Sequence, residues 1–238
     1  PKTLRIHFQL NNESPDMAAN PIIQPLSWNP AVFFRRARLI GGGQVIEDID
    51  NFARLSLMLT SLQSESEQLN IASEGFGSFD DKYGEGATDN RKSYEVLSHD
   101  ASGIVGSGRR VLFKPMLGLF NQDKLLPLKY LPLQIELELV SDQTDALVIG
   151  VDNNGSHWSI SDAQVKCDLL TLDNSLENEY SSHLLSGKSL PINFSSWNHT
   201  VQQTGGGKDF SVNVVRGLTR LKGVFSTLYL AGSNVRLK

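Results

Sequence analysis

The first ten residues alternate, with Leu4, Ile6, Phe8 and Leu10 on one side of an extended chain and Thr3, Arg5, His7 and Gln9 on the other. Successive side chains of a strand point to opposite faces, so this period of two predicts a half-buried β-strand. After a proline-rich connection (Pro15, Pro21, Pro25, Pro30), residues 33–40 and 44–47 flank Gly41-Gly42-Gly43, which predicts a hairpin with a permissive glycine turn. The clearest alternation sets Leu133, Ile135, Leu137 and Leu139 against Gln134, Glu136 and Glu138. Further strands are predicted at 110–113, 146–151, 158–172, 190–194, 210–215 and 224–230.

Two segments change period. Phe52, Leu55, Leu59 and Leu62 recur at spacings of three and four, which predicts a helix capped by Asp48 or Asp50. A second helix is predicted over 175–185, with Asp173 or Asn174 as cap, Glu177 as a capping-box partner and Gly187 just past its end. Its expected buried face is Leu176, Tyr180 and Leu184. Between Ser64 and Gly108 the chain is rich in Gly, Ser, Asp and Glu, which predicts a long surface loop with little regular structure. Many strands, two short helices and one long inserted loop predict an all-β fold, an antiparallel jelly-roll sandwich.

Charge narrows the function. The 238-residue chain carries a formal net charge of -4, against the dense Lys/Arg field that a strong nucleic-acid-binding surface needs. Residues 173–238 hold 7 basic and 4 acidic groups, which leaves the acidic excess to residues 1–172. That split either draws one end of a subunit to the other end of a neighbour or is surface variation. No apolar run approaches the roughly 18 to 20 residues of a membrane-spanning helix. Cys167 is the single cysteine, so an internal disulfide and a cysteine-based zinc site are excluded, and a reducing compartment is expected. The sequons at Asn12, Asn154, Asn193 and Asn198 then read as chance occurrences. A start at Pro1 reads as a processed product or an excised piece.

Catalytic constellations are weak. Gly41-Gly42-Gly43 and the glycines at 103, 106 and 108 lack the strand-to-helix setting and the following Lys-Ser/Thr of a phosphate loop, and read as turns. The histidines His7, His99, His157, His183 and His199 have no metal-ligand spacing. Asp152-Asn153-Asn154-Gly155 has the oxygens of part of a calcium loop without the distant glutamate, and reads as a tight turn. Asp80-Asp81, or Asp142 with Asp145, supply carboxylates for glycoside chemistry, but acids in polar loops are ordinarily solvated. No catalytic residue, cofactor or metal is expected. Phe76, Phe79 and Tyr83 in the long loop either contact a partner or clamp the loop onto its own domain.

The stretch Arg110-Val-Leu-Phe-Lys-Pro-Met-Leu-Gly-Leu-Phe-Asn-Gln-Asp-Lys-Leu-Leu-Pro-Leu-Lys-Tyr130, with the strand at 133–139, resembles a segment of the major capsid proteins of Polinton-like and adintovirus-like viruses. Val165 to Asp173, the helix with Tyr180, and Leu184-Leu-Ser-Gly-Lys-Ser-Leu-Pro-Ile192 resemble the junction between the two jelly rolls of that family. Phe210 to Phe225 resembles early strands of the second roll. The likeness covers most of 33–60 and 109–230, as pattern and short motif.

The resemblance implies a double jelly roll. Residues 1–172 would form the first roll, lacking its N-terminal strand, with 173–187 as linking helix and 188–238 as the start of a second roll. It implies a virion protein, assembled inside the host cell, whose partner is itself: a homotrimeric capsomer, then neighbouring capsomers, with minor capsid proteins as further partners. Lys114, Asp123, Lys124 and Lys129 flank the most distinctive motif and are candidates for intersubunit ion pairs or for solvated strand ends. The competing reading is a jelly-roll binding module, lectin-like or a receptor-binding viral spike, for which Trp158 and Trp197 near turns are the candidate aromatics. A single-roll shell protein, with 173–238 inside the same sandwich, is a third.

Overall fold

The computed structural model describes residues 1–14, 21–23, 25–27, 29–64, 66–67, 75–76, 96–97, 108–147, 155–203, 209, 211–214, 217 and 220–228. Strands β1 (Arg5–Asn12), β2 (Ile22–Ile23), β3 (Phe34–Gly41) and β4 (Gln44–Ile49) precede helix α1 (Phe52–Ser61). Strands β5 (Val96–Leu97), β6 (Gly108–Phe113), β7 (Leu133–Leu139) and β8 (Trp158–Lys166) follow, and then helix α2 (Asn174–Leu185). Two three-stranded sheets, ordered β6-β1-β8 and β4-β3-β7, and a two-stranded ribbon β2-β5 result, every pairing antiparallel.

The period of two in β1 decides which face is inside. Ile6, Phe8 and Leu10 are buried, and Ile6 and Phe8 stand opposite Phe113 and Val111 of β6 on the same face. That face meets β3 of the other sheet. Phe8 lies edge-on to Phe34 at 5.7 Å, and Phe34 stacks on Phe113 at 5.7 Å. Aromatic pairs at such angles add about 0.5–1.5 kcal/mol beyond the area they bury. Ala37 and Leu39 of β3 and Ile49 of β4 complete the inner layer, and Phe33, Phe52, Leu117 and Leu147 close the cluster. The architecture is mainly β, two antiparallel sheets packed over an apolar core with two helices.

The hairpin forms as its glycines predict. Gly42 and Gly43 have φ of 57° and 81°, values that L side chains rarely adopt, and join β3 to β4. Helix α1 buries Phe52 and Leu55, but Leu62 lies beyond it and is exposed. The expected aspartate cap is corrected: Asn51 holds the cap position in left-handed backbone with no side-chain cap bond. Asp48 instead accepts from Nε and Nη2 of Arg36 at 2.7 and 2.5 Å, and Asp50 faces Arg35 at 3.9 Å. A charge-assisted pair with an arginine fork outcompetes a single cap bond.

Other boundaries move. Asp173 caps α2, its carboxylate accepting from the Leu176 N–H at 2.9 Å, and Gly187 follows at φ 77°. None of its residues is buried, so the expected inner face of Leu176, Tyr180 and Leu184 is corrected: Leu176 is exposed and Tyr180 and Leu184 are half-buried. The strand predicted at 158–172 ends at Lys166. Ala146 belongs to a 3-10 turn (Gln143–Ala146) rather than a strand, Leu147 makes a single bridge to Pro25, and 148–151 lie outside the described residues.

Inside the predicted loop, Val96–Leu97 pairs with β2. Among the described residues of 188–228 there is no strand, against the strands expected at 190–194 and 224–230; of 210–215, residues 211–214 are described and are not in a strand. A strand needs a neighbour to satisfy its backbone, and no described strand lies beside these residues. Ile192, Phe194 and Trp197 still pack against the core, expressing their pattern without a ladder.

Candidate functional site

The distinctive motif at 110–130 is organised by a residue outside it. Glu47 and Ile49 share the inner face of β4, opposite Leu39 and Ala37 of β3, while a register shift turns Val45 outward, and Glu47 is buried there among apolar side chains. Its carboxylate accepts from the Gly118 N–H at 2.8 Å, the Leu119 N–H at 2.7 Å and the Ser196 hydroxyl at 2.7 Å. A buried charge requires this solvation by donors. It fastens the 3-10 turn Gly118–Phe120 and the 188–203 segment onto the second sheet. The approach is close enough to require glycine: a Cβ on residue 118 would lie 1.8 Å from the Ser195 carbonyl oxygen. Nearby, Asn51 Nδ2 and His199 Nδ1 are 3.2 Å apart. The signal for Glu47 in the sequence is an acid in phase with Ile49 two residues on.

The charged candidates of the motif make contacts within the chain. Asp123 pairs with Lys2, and that hydrogen bond and charge hold its carboxyl below the usual range. Lys124 Nζ donates to the Pro191 carbonyl at 3.0 Å. Lys129 pairs with Glu177 of α2, and the Tyr130 hydroxyl lies 2.8 Å from Ser181 Oγ. Lys114 is half-buried. Three of the four thus bind the motif to the chain's own N-terminus, to α2 and to the segment after it. These groups are exposed, so each contributes little on its own.

Phe76 is corrected as a surface contact: it is fully buried, edge-on to Phe33 at 5.9 Å, with the Arg109 guanidinium 5.5 Å above its ring. Burial holds the Arg109 pKa below its ordinary value. Phe79 and Tyr83 lie outside the described residues. Trp158 is no surface platform either, being buried against Phe33 at 4.7 Å with its indole N–H donating to the Gln143 carbonyl at 2.8 Å. Trp197 is half-buried against the core and 5.9 Å from Phe225. Gly155, last of the calcium-like run, is buried, and 152–154 lie outside the described residues.

Two surface features remain. The outer face of the second sheet carries a ladder in which Arg36 pairs with Asp48, Arg38 with Glu136 at 3.2 Å and Arg35 with Glu138 at 3.4 Å. The hydrogen bond and charge of Asp48 raise the Arg36 pKa above its ordinary value. The other feature is exposed aliphatic side chains: Val165, Leu169, Leu170, Leu185, Val214, Leu221, Val224 and Leu228 in 165–228 are more than half exposed, as are Val45, Leu62 and Leu125 earlier in the chain. Among the described residues no group of three or more His, Cys, Asp or Glu is placed to hold a metal ion, and no helix is long and apolar enough to cross a membrane.

No family model matches the chain, and no curated protein or solved structure matches it significantly.

Proposed function

We propose that this chain is a structural subunit of a viral shell, a jelly roll of the double jelly-roll type that assembles with copies of itself into trimeric capsomers. The observation that carries the reading is the concentration of apolar exposure in one part of the chain. The two sheets close over an aromatic core, and most of the large aliphatic side chains left more than half exposed lie between Val165 and Leu228, with Val45, Leu62 and Leu125 the earlier ones among the described residues. Exposed large aliphatic side chains are the kind of surface that association covers. A closed interior that serves as a building block, with such side chains concentrated in 165–228, suits a protein whose work is association. The resemblance of 110–139 and 165–192 to viral capsid proteins supplies the rest.

Electron microscopy of the concentrated protein tests this reading. Particles with threefold symmetry are expected; a field of single, separate subunits at every concentration overturns it.

A further inference from the structure

Residues 188–203 lie against the folded body without joining either sheet. Two contacts fix the course of their second half. The Ser196 hydroxyl donates to Glu47 at 2.7 Å, and His199 Nδ1 is 3.2 Å from Asn51 Nδ2, so 196–199 run beside the end of β4 and the start of α1. Nearer the first half, Lys124 Nζ donates to the Pro191 carbonyl at 3.0 Å. His183 Nε2 lies 3.4 Å from the Ser189 carbonyl oxygen, and the Asn213 N–H donates to Gln202 Oε1 at 3.3 Å. Among the described residues, every hydrogen bond between 188–203 and the rest of the chain thus uses a side chain, and none joins two backbones.

The apolar hold is similarly thin. Ile192, Phe194 and Trp197 pack against the core and stay half-buried, whereas Asn193, Ser195, Asn198 and 200–203 are exposed. Helix α2, just before the segment, has no buried residue. A strand inside a sheet leaves only by breaking a row of backbone bonds together. A segment held by a few side chains opens at a lower free energy than the core. The body also tolerates its departure. Glu47 keeps the Gly118 and Leu119 N–H groups, which come from the body, so release exchanges the Ser196 hydroxyl for water and leaves the carboxylate solvated.

We propose that 188–203 is a releasable strap that opens as one unit while the two sheets stay folded, with Glu47 as its catch. Opening puts Ile192, Phe194 and Trp197 in water and uncovers the core surface beneath them. The chain therefore has a closed state and an open state with added apolar surface. This holds whether or not copies of the chain associate.

Two variants weaken the catch from the two sides. Ser196→Ala removes the strap's own bond and leaves Glu47 and the 118–120 turn as they are. Gly118→Ala places a Cβ 1.8 Å from the Ser195 carbonyl oxygen and pushes the strap outward. Chymotrypsin, which cleaves after aromatic residues, reads the opening at Phe194 and Trp197 through the masses of the fragments, because cleavage follows the population of the open form. Cleavage there should be about tenfold faster in Ser196→Ala, and faster also in Gly118→Ala, with the amide exchange of β1 and β3 at the parent rate in Ser196→Ala. If Gly118→Ala shifts the turn instead of the strap, Ser196→Ala decides. Cleavage at the parent rate in Ser196→Ala, the strap being cut in place, overturns the proposal. So does exchange in β1 and β3 that accelerates in step with the cleavage, since strap and core would then open together.

Discussion

Glu47 is where single residues matter most. Its carboxylate receives two backbone N–H groups and a hydroxyl in a buried setting, so Glu47→Ala leaves buried donors unpaired. The expected loss is about 3 kcal/mol in urea denaturation, with Glu47→Gln losing less because one acceptor oxygen survives. Phe76→Ala should cost about 3–5 kcal/mol, because the ring is fully buried between Phe33 and the Arg109 guanidinium. A surface ring in a loop would cost little. Asp142 is exposed and adds a small acid dependence. Hydrogen bonds from the Thr144 hydroxyl and then its N–H hold its carboxyl below the ordinary value of 3.8. The stability it contributes is therefore complete above that value and lost as pH falls through the lower folded one. In acid titrations of unfolding, Asp142→Ala should flatten that limb and lower neutral stability slightly, by the contribution that the parent loses in acid.

At the scale of elements, the strands with one buried face were the legible part. The alternation in β1 and β7 and the glycine hairpin appear with nearly their expected limits because a single periodicity and a single turn chemistry specify them. Helix α2 was legible in position from its cap, but its inner face was not: a local apolar stripe cannot say whether anything packs against it. The helix meets the body through the Lys129–Glu177 pair and the Tyr130–Ser181 hydrogen bond, both exposed. Its amide hydrogens should therefore exchange faster than those of β1 and β3, and faster still in Lys129→Ala. The strands expected beyond 188 failed for a related reason, since pattern alone does not supply the neighbour a ladder needs. Of the candidate site, the charged residues of 114–129 were found from the motif, but their partners Lys2, Pro191 and Glu177 lie far away in sequence and no spacing rule connects them.

For the whole molecule, the two packed sheets stand beside a set of exposed aliphatic side chains concentrated in 165–228. Packing within one copy leaves Leu169, Leu185, Val224 and Leu228 in water, and the proposed contact between copies would remove them from it. On the proposed reading such contact would be mainly hydrophobic, with a charge component from the acidic first part and basic last part of the chain. The direct measurement is the mass of the purified chain by light scattering after size exclusion, over a range of concentration and salt. Trimers or larger assemblies that grow with concentration and survive high salt are expected. A strict monomer at the highest concentration would contradict the account.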